Sequence, residues 1–131
     1  MAFILLGISI VLASKLAFKE DRVEDPFFEF KREAHKYSGV NPDAFMSFIA
    51  RLNLAQRYMN VDVRVAQTYM LESLESLENL ALYAESGDYD IQEPIHDLAK
   101  RIGYAFEDKL MNIAVNKGVT LYPKYLNNRI N

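Results

Sequence analysis

The residues able to do chemistry are few, and their spacing works against it. The chain has two histidines and no cysteine. Glu93 and His96 form a Glu-x-x-His pair, which sets both side chains on one helical face. Di-metal carboxylate sites in helix bundles use that spacing twice and add two further glutamates. Here it occurs once, beside Pro94, and His35 follows Glu33 at the wrong spacing to supply a second copy. Charge pairing on the surface is the expected role. Glu72, Glu75 and Glu78 make a carboxylate ladder, but a spacing of three winds slowly around a helix. Acid–base or metal chemistry would need convergent partners from another helix. The ladder therefore reads as a solvated face, with an acidic strip for a basic partner as the functional alternative. Asp88-Tyr89-Asp90 has the opening of a calcium loop, yet positions six and twelve are Glu93 and Ala99 where Gly and Glu are required. It reads as a turn.

Other reaction classes fare no better. Without cysteine there is no thiolate nucleophile, thiolate metal site or disulfide. No serine lies in a Gly-x-Ser-x-Gly setting, and no glycine-rich loop cradles phosphate. No catalytic, cofactor-binding or metal-ligating residue is expected, so the chain reads as a non-enzyme without a small-molecule substrate. A small helical enzyme or metal protein remains as a distant alternative. It would need Glu93 and His96 to converge with one or more of Glu72, Glu75 and Glu78.

The elements that would hold these residues are helices, and no strand pattern stands out after residue 20. The first opens at Asp25-Pro26, with Asp as N-cap and Pro at the first helical position, and stops at Gly39. The second repeats the device at Asn41-Pro42, and its apolar face is Phe45, Phe48, Ile49, Leu52, Ala55 and Met59. The third begins near Asp62 and ends at Gly87, with Met70, Leu74, Leu77, Ala81 and Ala84 in a 4-3-4-3 seam. The fourth starts between Asp90 and Pro94 and ends at Gly118, with Ile95, Leu98, Ala99, Ile102, Ala105, Phe106, Leu110 and Ile113 on one face. Gly103 within it allows another helix to approach closely. Only Asn60-Val61 separates the second and third stretches, and it holds neither Gly nor Pro. One bent helix over 42–86 is an alternative; a break is preferred, because globular helices average about 11–12 residues.

Ahead of these helices stands MAFILLGISIVLASKLAF, with no charge before Lys15. A spanning helix needs about 20 apolar residues to cross about 30 Å of hydrocarbon. Residues 1–14 reach about 21 Å, and extension to Phe18 gives about 27 Å at 1.5 Å per residue. Lys15 would then snorkel toward the headgroups. The favoured reading is a single membrane anchor over 1–19, carried by Phe3, Ile4, Leu5, Leu6, Ile8, Ile10, Val11 and Leu12. A cleaved signal peptide is disfavoured because no basic residue precedes the run. A buried helix or strand in a soluble domain or oligomer interface is the plain alternative. Lys15, Lys19, Arg22, Lys31, Arg32 and Lys36 all follow the run, which places the N-terminus outside and the helical domain on the cytoplasmic side.

The net charge of −3 over 131 residues is unevenly spread. Eight acids against Arg64 give −7 over 62–93, while 94–131 carry +3. That balance excludes a uniformly basic nucleic-acid binder. Phe27, Phe28 and Phe30 lie on more than one side of a short helix and exceed the needs of one core stripe. The tail VTLYPKYLNNRIN reads as an extended arm docking Leu121, Tyr122, Tyr125 and Leu126. These seven residues are the candidate partner-binding set.

The expected architecture is all-α: an N-terminal hydrophobic helix (1–19), a domain of three to four helices (20–118) and a C-terminal docking tail (119–131). The expected function is a non-enzymatic, single-pass membrane subunit that holds a larger multi-protein complex against a bilayer. Respiratory or photosynthetic complexes and membrane-lined virion shells use such parts, by architectural analogy. The expected partners are the lipid bilayer and other protein subunits. The alternative is a soluble helical protein-binding module with its N-terminal segment in an oligomer interface.

Overall fold

The computed structural model describes residues 25–83 and 89–125. Readings placed on the anchor run, Ala84, Gly87, Asp88, the side chains of Tyr89 and Asp90, and Leu126 lie outside the described residues. Among the described residues there are four helices and no strand: α1 (Phe28–His35), α2 (Pro42–Tyr58), α3 (Val63–Tyr83) and α4 (Tyr89–Lys117). None of these helices is long and apolar enough to cross a membrane. The chain divides into two compact units, Met1–Lys31 and Arg32–Asn131, so the division falls within α1.

Each helix end has a local cause. Asp25 Oδ1 accepts from Phe27 N at 2.9 Å, and its carbonyl accepts from Phe28 N, which starts α1. Asp25 also holds Lys31 Nζ at 2.9 Å. Helix α1 stops at His35, short of the expected Gly39. Its chain continues through tightened turns in which Lys36, Tyr37 and Ser38 donate to the carbonyls three residues earlier. Asn41 caps α2 with its side-chain oxygen on Ala44 N at 3.2 Å, and Pro42 follows in the first turn.

The break between α2 and α3 is real. Tyr58 O accepts from both Val61 N and Asp62 N, which closes α2. Asp62 Oδ1 then accepts from Arg64 N at 3.0 Å and Val65 N at 3.3 Å, opening α3. At the far end of α4, Gly118 has φ +67. Gly118 N donates to Val115 O and Val119 N to Ala114 O, the paired bonds of a Schellman stop. A side chain there would meet the left-handed penalty that glycine avoids.

Within the second unit, α3 packs on both α2 and α4. Polar contacts fix the registers. Ser47 Oγ meets Ser76 Oγ at 2.9 Å, and Arg51 Nε donates to Glu72 Oε1 at 3.3 Å, so α2 and α3 run antiparallel. Gln67 meets Glu107, and Glu78 meets His96, so α3 and α4 are also antiparallel. The apolar seams face inward as their periodicity requires. Phe48 and Leu52 of α2, Met70, Leu77 and Leu80 of α3, and Ile95, Leu98, Ile102, Phe106 and Leu110 of α4 are fully buried. Each contributes about 1.5–3 kcal/mol of transfer free energy. Ile49, Met59, Ala105 and Ile113, at the edges of the predicted faces, are half-buried.

Candidate functional site

Among the described residues three polar side chains sit on the buried faces of these helices: Gln67 and Ser73 of α3 and Glu107 of α4. Ser73 is satisfied locally, donating to Met70 O at 2.7 Å. The other two build the most organised polar site of the described chain. Glu107 follows Gly103 and precedes Leu110 and Ala114 on one stripe of α4, so its carboxylate points at the helix interface with 0% exposure. Gln67 occupies the matching stripe of α3, between Val63 and Met70, and is 3% exposed. Gln67 Nε2 donates one proton to Glu107 Oε2 at 2.9 Å and the other to Tyr122 O at 2.8 Å.

The turn at Gly118 sends the chain back along this interface. Glu107 Oε2 accepts from Lys124 N at 3.1 Å and Tyr125 N at 3.2 Å. Arg64 Nη2 donates to Thr120 O at 2.9 Å. Leu121 is buried at 7% exposure, and Tyr125 lies over Gly103. A Cβ on Gly103 would stand 2.4–2.8 Å from three atoms of the Tyr125 ring. The glycine therefore admits a tyrosine of the arm, where a neighbouring helix was expected. Tyr104 meets Tyr125 edge-on at 5.8 Å. A buried carboxylate persists when hydrogen-bond donors replace its lost water, and main-chain N–H groups supply that here. The arrangement recognises backbone, with Leu121 and Tyr125 as side-chain anchors.

The sequence-predicted partner set divides between several environments. Phe27 is buried and meets Phe30 at 5.8 Å; Phe28 and Phe30 are half-buried. Leu121 and Tyr125 are engaged by the chain's own α3 and α4, while Tyr122 is 74% exposed. The acidic ladder is shared out. Glu72 pairs with Arg51, Glu78 meets His96 Nδ1, and Glu75 is exposed. Glu93 is exposed, and His96 meets Glu78 of α3. Among the described residues no three His, Asp or Glu side chains are grouped to hold a metal ion.

One further ion pair ties α1 to α4. Arg101 donates from both Nη atoms to the Glu33 carboxylate, at 3.1 and 2.6 Å, and from Nε to Asp97 at 2.8 Å. The guanidinium bond holds the Glu33 carboxyl below its usual value, against the opposing effect of burial. Arg101 is in turn held more firmly protonated, chiefly by the Glu33 carboxylate.

The buried Gln67–Glu107 pair and the Arg64 and Lys124 beside it are absent from the set that sequence reasoning marks. The available signal was an acid and an amide at core positions of otherwise apolar seams. The chain matches no protein-family profile, no curated protein and no solved structure.

Proposed function

We propose that the chain is a non-enzymatic, membrane-anchored structural or assembly subunit of a larger complex. The observation that carries this reading is the apolar run Met1–Ser14 set ahead of a polar, charged, all-helical remainder. A tether of this kind confines the domain to a surface and raises its effective concentration for neighbouring proteins. The buried polar groups described above are spent on holding the chain's own arm, which supports a structural role over a reactive one. Phe28, Phe30 and Tyr122 retain exposed surface for partner contacts. The basic residues following the run support a cytoplasmic side for the helical domain.

Alkaline carbonate extraction of membranes from cells expressing the full chain tests the anchor. The wild type is expected to stay in the pellet. A Leu6→Lys, Ile8→Lys variant is expected in the supernatant, since each lysine costs about 2.5–3.5 kcal/mol at the centre of a spanning helix. A wild-type chain released by carbonate, and soluble without detergent, would replace the anchor with the oligomer-interface reading. Protease access to the helical domain in oriented vesicles reports the side.

A further inference from the structure

A cavity of about 530 Å³ opens where the arm crosses the start of α3, and its chemistry differs from the rest of this acidic chain. Its charged lining residues are Arg64 and Lys124, both cationic, in a molecule of net charge −3. Thr68 and Thr120 add hydroxyls, Gln67 forms a buried polar wall and Leu121 an apolar one. We propose that this cavity is a binding site for a phosphate group.

The two cations come from separate elements, and both residues are exposed where they line the cavity. The exposed Arg64 guanidinium donates from Nη2 to Thr120 O at the cavity, which leaves its remaining N–H groups for a ligand. A planar guanidinium held in this way suits a phosphate's oxygens geometrically. Lys124 is fixed at its backbone by the Glu107 carboxylate, and its ammonium makes no ion pair among the described residues. The Thr120 hydroxyl makes no hydrogen bond among the described residues and supplies a further donor. Thr68 Oγ1 is already committed to Arg64 O and shapes the wall only.

Among the described residues no carboxylate lines the cavity. Asp62 is turned to the first amides of α3, and Glu107 lies behind Gln67 with Oε2 accepting from three N–H donors. Gln67 spends both amide protons on Glu107 and Tyr122 O, so it positions the site without contributing a donor to the ligand. The volume is within the range of small-ligand sites and exceeds what one phosphate fills.

Two sources share this chemistry, a free phosphate or phosphomonoester and the diester headgroup of a lipid. The test uses the full chain in non-ionic detergent, titrated at constant ionic strength with inorganic phosphate or with glycerophosphoglycerol. Binding is read from the amide resonances of Arg64, Thr120 and Lys124, against a chloride control. Both probes are water-soluble, so the result is independent of the anchor proposed above. Binding of inorganic phosphate assigns the free anion; binding of the diester alone assigns the lipid headgroup. Lys124→Gln keeps the backbone N–H that Glu107 needs, and it is expected to weaken binding about tenfold, the scale of one charge-assisted bond. Arg64→Gln is expected to weaken it at least as much, and Lys109→Gln, on the exposed face of α4, not at all. Failure of both probes to shift these resonances, or equal affinity in Lys124→Gln and wild type, overturns the proposal.

Discussion

Replacing Glu107 by alanine separates an arm latch from an ordinary core residue. The carboxylate accepts from Gln67 Nε2, Lys124 N and Tyr125 N at 2.9, 3.1 and 3.2 Å. Hydrogen bonds to a charged group contribute about 1.5–3 kcal/mol each, so the three sum to about 5–9 kcal/mol before any offset. Two effects reduce that sum. Burying the carboxylate carries a desolvation cost of several kcal/mol, which the variant no longer bears. The arm can also peel away and give the amides of Lys124 and Tyr125 back to water. The loss is therefore capped by the free energy of docking the arm. Among the described residues Leu121 is the arm's one buried aliphatic anchor, and burial of a leucine is worth about 1.5–3 kcal/mol. Global stability is expected to fall by about 1–3 kcal/mol, the range of most single substitutions. The distinguishing readout is residue-resolved amide exchange. In Glu107→Ala the amides of Lys124 and Tyr125 should exchange freely, while those of Leu52, Leu77 and Ile102 stay protected. Glu107→Gln keeps one acceptor oxygen and should fall between. Unchanged protection at Lys124 and Tyr125 would refute the latch. Equal loss of protection in the helices would show Glu107 to be part of the core itself.

Two further substitutions test the same physical reasoning at other points. Gly103→Ala brings a methyl into the Tyr125 ring, but helix propensity favours alanine by about 1 kcal/mol; denaturant stability should hold or rise while the Tyr104–Tyr125 ring contact is lost, and a large global destabilisation would contradict this. Glu33→Gln removes a carboxyl whose folded pKa lies below its unfolded one, so its stabilisation is present above the unfolded value and fades as pH falls through the folded one. With both partners partly exposed, the loss at neutral pH should be about 0.5–1 kcal/mol and should vanish in strong acid; a loss of the same size at both pH values would contradict the assignment.

The local signals of this fold are legible in its sequence, and the long-range ones are not. Asn41-Pro42 and Gly118 announce their helix ends because the chemistry is contained within a few residues. The apolar seams of α2, α3 and α4 follow from spacing alone. The stop of α2 has no glycine or proline to mark it; it depends on two amides converging on Tyr58 O and on Asp62 starting anew. Pro94 looks like a starting residue but lies inside α4, which begins at Tyr89. As the sixth residue of the helix it lies past the four unpaired donors of the amino end, so it forgoes an i to i−4 backbone bond that another residue would make. The arm's tendency to dock is visible in Leu121 and Tyr125, but the receiving surface is not. It is made by Gln67 and Glu107, 40 residues apart, and only the packing of α3 on α4 brings them together. Gly103 carries the same lesson: its smallness is readable, and the tyrosine it accommodates is not.

Helix α3 touches both of its sequence neighbours, so each major helix pairing joins segments that are consecutive along the polypeptide. Chains wired this way close short loops first, and such topologies reach their native state in microseconds to milliseconds. The amide and carboxylate that grip the arm belong to the pairing of α3 with α4, so that pairing has to form before the arm's backbone has a surface to receive it. Assembly thus has a direction built into it, from the central hairpins outward, with the final stretch sealing a seam that its predecessors leave open.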